Sequence, residues 1–162
     1  MAVDMFLEIS TLKGETRDKA FGPKGAMDVL AFSFGMSNSG TAHVGGGAGA
    51  GKVNVQDISV TKWVDKCSPT LMLACCNGKH FEKAVLTARK AGEKPIEYMR
   101  YTMNEVMITS ISTGGSGGED RLTENVSLNF AKFKFEYTPQ KQDGSADAAV
   151  PMDWDIAANY RA

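Results

Sequence analysis

Along much of the chain, apolar residues fall at every second position, the spacing of half-buried β-strands. Met5, Leu7 and Ile9 predict a first strand. Asp28 to Phe34 predicts a second, with Leu30, Phe32 and Phe34 on the core face and the smaller Val29, Ala31 and Ser33 turned toward a surface or another chain. Val53 to Trp63 alternates as Val53/Val55 and then Ile58/Val60, a change of parity within one strand. Phe81–Lys90 and Ile96–Met103 flank Ala91-Gly92-Glu93-Lys94-Pro95, whose turn residues predict a hairpin. Val106 to Ser112 continues as a strand, and around Tyr98–Ile111 both parities are apolar, so this region is expected to be covered on both faces. The longest clean pattern lies in Ser110–Tyr137. Its apolar residues start in one parity (Leu122, Val126, Leu128, Phe130) and end in the other (Phe133, Phe135, Tyr137). Such a switch predicts one extra residue, a bulge near Ala131–Lys132. A long bent strand suits a β-barrel or a tightly coiled sandwich better than a flat sheet. The fold class expected is mainly β with one short α-helix.

That helix is predicted over Cys67 to Gly78. Ser68 is the candidate N-cap, Pro69 falls at N1 where its missing N–H is harmless, and Gly78 fits C′. Leu71 with Cys75, and Met72 with Cys76, pair at i,i+4 on the expected buried side. A helix this short is marginal alone and must pack against the sheets. Between strands, Gly22-Pro23-Lys24-Gly25 reads as a turn with Pro at i+1 and Gly at i+3. Ser37 to Gly51 has no apolar period and exceeds the usual connection length, which marks a functional or disordered loop. Pro139 to Ala149 is a polar linker, followed by a short last strand within Val150–Tyr160, around Trp154 and Ile156. Residues 1–162 are expected to form a single domain.

Charge narrows the function classes. With 18 basic and 19 acidic residues the net charge is −1, which gives no electrostatic reason to expect nucleic acid or an anionic membrane as partner. No apolar run approaches a bilayer span. The start, MAVDMFLEIS, carries Asp4 and Glu8 and lacks a basic region, so it does not read as a signal peptide. Three cysteines, two of them adjacent, make no disulfide framework. Folding in a reducing cytoplasm is expected, with export by a route that needs no cleaved signal left open.

No catalytic, cofactor or metal constellation emerges. Gly46-Gly47-Ala48-Gly49-Ala50-Gly51-Lys52 matches a phosphate-loop spacing as far as the lysine, but Val53 stands where the Mg²⁺-binding hydroxyl belongs. A strand pattern follows it where phosphate cradling needs a helix N-terminus. Gly114-Gly115-Ser116-Gly117-Gly118 leads into Glu119-Asp120-Arg121, whose acids would repel phosphate. Cys67, Cys75, Cys76 and His80 do not close a tetrahedral metal set, and buried small hydrophobes account better for the cysteines. His43 and His80 have no nucleophile or orienting acid beside them in sequence. The acids and lysines read as solvated strand faces.

Several stretches together resemble the haemolysin-coregulated protein (Hcp) family of bacterial type VI secretion. They are Phe6–Ile9 with Lys13-Gly14-Glu15, Met27–Gly35, Val55–Lys62, Ser68–Leu71, Cys76–Phe81 and Ser112–Val126. The likeness runs in order through essentially the whole chain, although Thr16 stands where such proteins often have Ser and Lys19–Gly25 looks slightly longer. The resemblance implies a barrel or coiled sandwich like that of phage tail-tube proteins, without enzymatic activity or cofactor. It implies a homohexameric ring, with rings stacked into a tube. That tube would be tipped by a spike protein, driven out by a contractile sheath, and loaded with effector proteins. Some members carry a further C-terminal toxin domain; only a short tail follows Pro139 here, so none is expected.

Within such an assembly, Ser37, Asn38, Thr41, His43, Gly45, Gly46, Gly47, Gly49 and Gly51 are expected to order against the next ring. Val29, Ala31 and Ser33 are expected to line the lumen and touch cargo. Gly114, Gly115, Gly117, Gly118, Glu119, Asp120 and Arg121 are expected to meet a neighbouring subunit. The competing reading is a monomeric ligand-binding β-barrel that uses the glycine loops as a lid.

Overall fold

The computed structural model describes residues 2–41, 43, 49 and 51–162. In chain order its elements are β1 (Val3–Ile9), β2 (Met27–Ser33), β3 (Met36–Ser37), β4 (Asn54–Val55), β5 (Ile58–Trp63), α1 (Ser68–Asn77), β6 (His80–Lys90), β7 (Glu97–Gly114), β8 (Thr123–Asn129), β9 (Lys132–Tyr137) and β10 (Val150–Asp155). Antiparallel pairing runs β7-β6-β1-β2-β5-β8, and β8 returns to β7, so six strands close on themselves. β9 adds to the first half of β7, and β10 adds to β9. The expected barrel with one short helix is what forms.

Two strands serve both sides of the barrel, and their irregularities explain how. β7 pairs with β6 from Glu97 to Met107 and with β8 from Met107 to Gly114. β2 pairs with β1 only over Met27–Val29 and with β5 over Val29–Ser33. At β2 a bulge leaves Leu30 as the extra residue between Val29↔Lys62 and Ala31↔Thr61. Before it Met27 and Val29 face the core; after it Phe32 and Phe34 do. Leu30 is therefore 40% exposed and Val29 only 6%. That reverses the sequence reading at both positions: Val29 packs inside and cannot present itself to a lumen.

The parity switch in Ser110–Tyr137 is likewise not the bulge expected. Asn104↔Lys132 and Met107↔Asn129 bracket the break, so each strand spends the same number of residues there. Both change face together: Met103 then Val106 on β7, Phe133 then Phe130 on its partner, all buried. Glu105 takes a left-handed φ of 55° at this level, and the two strands bend as a pair. The extra residue belongs to β7 instead, between Ile108 and Ser110.

The core is filled by inward positions of every barrel strand, among them Leu7, Met27, Ile58, Leu86, Met103 and Leu128, each at most 2% exposed. Phe34 packs edge-on against Tyr101 and Phe133, with ring centroids 5.3 and 5.5 Å away, geometry that suits the aromatic quadrupole. α1 plugs this core through Leu71 and Ala74. Its ends differ in part from expectation. Gly78 closes it in the left-handed region (φ 68°), donating its N–H to Ala74 O at 3.0 Å, as a C′ glycine should. Cys67 is the N-cap and Ser68 the first helical residue. Of the expected buried pairs, Leu71 is buried and Cys75 half-buried, whereas Met72 and Cys76 are exposed.

A buried charge cluster sits beneath the start of α1. Lys62 and Glu124 are register partners on β5 and β8, occupy inward positions and are 0% exposed. They form an ion pair. Lys62 Nζ also donates to Trp63 O at 2.8 Å and to Asp65 Oδ1 at 3.2 Å, while Ser68 Oγ donates to Glu124 Oε1 at 2.6 Å. The reading of acids and lysines as solvated fails at these two. Their parity, shared with Ile58/Val60 and Val126/Leu128, was the available signal. A second cluster clamps the segment before β2: Arg89 forks onto Asp18 and stacks over Phe6 and Phe21, 4.9 and 5.4 Å from the ring centroids. Burial alone would raise the Asp18 carboxyl. Hydrogen bonds from Arg89 and from the Ala20 and Phe21 N–H groups outweigh it and hold that carboxyl below its ordinary value.

Candidate assembly surfaces

The described residues of Ser37–Gly51 belong to a hairpin arm built on β3 and β4, which pair Met36↔Val55 and Ser37↔Asn54. Beyond them the two limbs stay joined: Gly51 N–H donates to Ser39 O and Thr41 N–H to Gly49 O, both at 3.3 Å. Asn38 Nδ2 donates to Gly51 O at 2.7 Å and Thr41 Oγ1 to Gly49 O at 3.0 Å. A Cβ at position 51 would fall on Ser39 Oγ and lie 3.2 Å from Ser39 O, so a side chain there would have to displace the Ser39 hydroxyl. Ser37, Asn38, Thr41, His43 and Gly49 are exposed, and Gly51 is half-buried. Gly45, Gly46 and Gly47 lie outside the described residues.

The Gly114–Arg121 loop joins β7 to β8 at the other end of the same sheet. Gly114, Gly115, Gly117, Gly118, Glu119, Asp120 and Arg121 are exposed. Glu119 shapes the turn, its N–H donating to Ser116 O at 3.1 Å while its carboxylate accepts from Ser116 N–H at 3.3 Å. Arg121 stacks over Trp63, the last residue of β5, at 4.5 Å. β5 starts at the root of the arm and ends at this loop, which separates the two by about 17 Å along one strand.

Between them lies an outer face that the sequence reading only partly located. Register carries one row across four strands, Ser33↔Ser59↔Ser127↔Ser110, and a second as Ala31↔Thr61↔Asn125↔Ser112. None of these eight is charged and none is buried. Ser59 and Ser127 hydroxyls lie 2.9 Å apart, and Thr61 donates to Asn125 at 2.7 Å. At the arm end of the wall Asp57 is held by Thr109 Oγ1 at 2.6 Å and Asn129 Nδ2 at 2.8 Å, so its carboxylate is occupied. Ala31 and Ser33 are thus the edge of a wider, neutral, hydroxyl-rich wall. The signal for the remainder was the outward parity of β5, β7 and β8, which needs the pairing to be assembled.

Other surfaces offer less chemistry. Among the described residues no three His, Cys, Asp or Glu side chains converge as a metal set. Cys67 is buried and its Sγ donates to Lys13 O at 3.0 Å; burial, aided by Asp65, pushes the thiol up to about 11. Cys75 is half-buried and Cys76 exposed, so the reading of all three as core residues holds for the first and fails for the last. An apolar groove of about 450 Å³ lies at the arm root between Met36, Val53 and Val55 and the β9–β10 flank, with Phe133, Met152 and Trp154.

The closed antiparallel barrel with one plugging helix defines a fold that recurs in a phage-like particle. A subunit of the anti-feeding prophage baseplate shares this fold, at TM-score 0.50 and 11% identity over 82% of this chain and 91% of that one. More narrowly, residues 6–137 match the family described as type VI secretion system effector, Hcp, and the chain belongs to that family. It is 57% identical to "Protein hcp1" of Pseudomonas aeruginosa, covering 100% of both chains. A solved type six secretion system protein superposes at TM-score 0.92 with 28% identity, over 99% of this chain and 100% of that one. Hcp1 from Salmonella typhimurium does so at 0.81 with 32% identity, over 100% of both.

Proposed function

We propose that this chain is the subunit of a type VI secretion inner tube. Six copies form a ring, rings stack, and the tube leaves the cell with effector proteins in its lumen. A spike protein at the tip and a contractile sheath outside are the implied partners. The observation that carries the reading is the neutral wall of β2, β5, β8 and β7, bounded at one end by the hairpin arm and at the other by the glycine loop. A lumen that passes proteins of differing charge wants a wall without fixed charges or large apolar side chains. Two unlike contact segments at opposite ends of that wall suit head-to-tail stacking, which propagates as a filament.

The monomeric lidded barrel has less support. Its interior is occupied by side chains such as Leu7, Ile58, Met103 and Leu128, which leaves a ligand the surface groove at the arm root. Electron microscopy of the purified protein separates the two: six-membered rings are expected, and a persistent particle of 17.4 kDa would overturn the tube reading.

A further inference from the structure

The turn that leaves β1 is strained, and nothing packed around it accounts for the strain. Leu12 N–H donates to Ile9 O at 3.0 Å, which closes a four-residue turn over Ile9–Leu12. Its third residue, Thr11, sits in the left-handed region at φ 71°. Glycine or asparagine ordinarily takes that place, because a β-branched side chain there clashes with its own backbone. Thr11 is exposed, so burial offers no compensation, and among the described residues its hydroxyl has no hydrogen-bond partner. Strain held at such a position points to use of the side chain.

Thr11 borders a surface hollow of about 210 Å³ on the β1–β6 side of the barrel, across from the neutral wall. Three lysines line the hollow: Lys13 after the turn, Lys24 from the segment before β2, and Lys83 on β6. None of them forms an ion pair among the described residues. Glu8 is the one acid in the lining. Packing places two of the ammonium groups. The stem of Lys13 lies against Gly25, where an added Cβ would come within 2.9 Å of its Cδ, and Lys24 Nζ stands over the Phe21 ring at 4.7 Å. Ser10, also in the lining, accepts the Lys83 N–H through Oγ at 3.2 Å, which leaves its own hydrogen free to donate. Like charges gathered at one concavity repel each other until an anion answers them, and the concave wall focuses their field.

We propose that this hollow is an anion site that takes a phosphoryl group. The lysines act as point charges suited to phosphate, and the Ser10 and Thr11 hydroxyls donate to its oxygens. At about 210 Å³ the hollow is smaller than the roughly 300–1,000 Å³ of pockets that enclose a drug-sized ligand. What it recognises is therefore the phosphoryl end of a molecule rather than the whole. The strain at Thr11 then keeps a hydroxyl where glycine would fold more easily. The site stands apart from the ring reading, because β1 and β6 lie opposite the wall.

Calorimetric titration of the purified protein with pyrophosphate at low ionic strength tests this. Saturable one-to-one binding is expected, weakened at least about tenfold in Lys13→Gln/Lys83→Gln. Lys79→Gln/Lys141→Gln, at two exposed lysines outside the hollow, should bind as the parent does. Thr11→Gly should raise the unfolding temperature by relaxing the turn and at the same time weaken binding about threefold. Co-sedimentation with phosphatidylcholine vesicles containing phosphatidic acid identifies the source of the group. Retention of the parent but not of Lys13→Gln/Lys83→Gln marks a lipid headgroup, and pyrophosphate binding without retention marks a free anion. No saturable binding of pyrophosphate, or equal weakening by the two lysine pairs, would overturn the site and leave only diffuse attraction to surface charge. A Thr11→Gly protein that binds as tightly as the parent would overturn the part given to its hydroxyl.

Discussion

Lys62 and Glu124 show what one residue can do to this barrel. An ion pair sits in an otherwise largely apolar core, its members tied to each other, to Asp65 and to Ser68 at the start of α1. Removing one member strands the other, at a cost of about 3–5 kcal/mol for a buried pair. Lys62→Met is therefore expected to lower the urea unfolding free energy by about that much. Lys62→Met with Glu124→Leu should recover most of the loss, and a double variant as unstable as the single one would refute the account. Asp18 contributes with a defined pH sign. Its carboxyl is held below the ordinary 3.8 in the folded protein, so its stabilisation is complete above that value and fades as pH falls through the lower folded one. Asp18→Asn should be less stable than the parent at neutral pH. Urea midpoints of the two should converge below pH 3.8; a gap that stays constant there would argue against the Arg89 clamp.

At the scale of elements, shortening the hairpin arm beyond its rungs is expected to leave the barrel intact. Its rungs are internal to the arm, from Met36↔Val55 outward to Thr41 and Gly49, and among the described residues no core side chain comes from Ser37–Gly51. Deleting Gly45–Gly49 should leave the unfolding temperature within a few degrees and rings intact, while sedimentation shows stacking lost; tubes of normal length would refute a stacking role. Elements were also where sequence reasoning was most legible. The turn at Gly22–Gly25 closes as expected, with Gly25 N–H donating to Gly22 O at 3.0 Å and φ 74° at Gly25. The 91–95 hairpin joins β6 to β7 as its turn residues required. Parity across irregularities was not legible. Leu30, Phe32 and Phe34 share a period of two in sequence, yet the extra residue at Leu30 turns it out and Val29 in. α1 misled for a related reason: Leu71, Met72, Leu73, Ala74, Cys75 and Cys76 are apolar all round, so composition could not say which stripe the barrel takes.

For the whole molecule, the neutral wall is the surface on which a cargo reading stands or falls. Ser33 lies at its edge in register with Ser59 and, through it, Ser127. A longer amide there should crowd a docked protein while leaving the barrel untouched, because Ser33 is exposed. Ser33→Gln is expected to keep rings and reduce co-purification of effector proteins several-fold; undiminished retention would remove Ser33 from the cargo contact.

The order of residues by itself determined that the chain would be a strand-rich barrel with one short helix, because period-two alternation, the Pro69 and Gly78 helix ends and the turn glycines are local properties. It also carried the family likeness, spread through ordered motifs from Phe6 to Val126. Tertiary structure alone decided which side of β2 is inside, that Lys62 and Glu124 are buried together, and that residues from β2, β5, β8 and β7 form one uncharged face. Alternation states that a strand has two unlike sides; strand pairing, bulges included, sets which side meets the core and which distant residues stand beside each other on the outside.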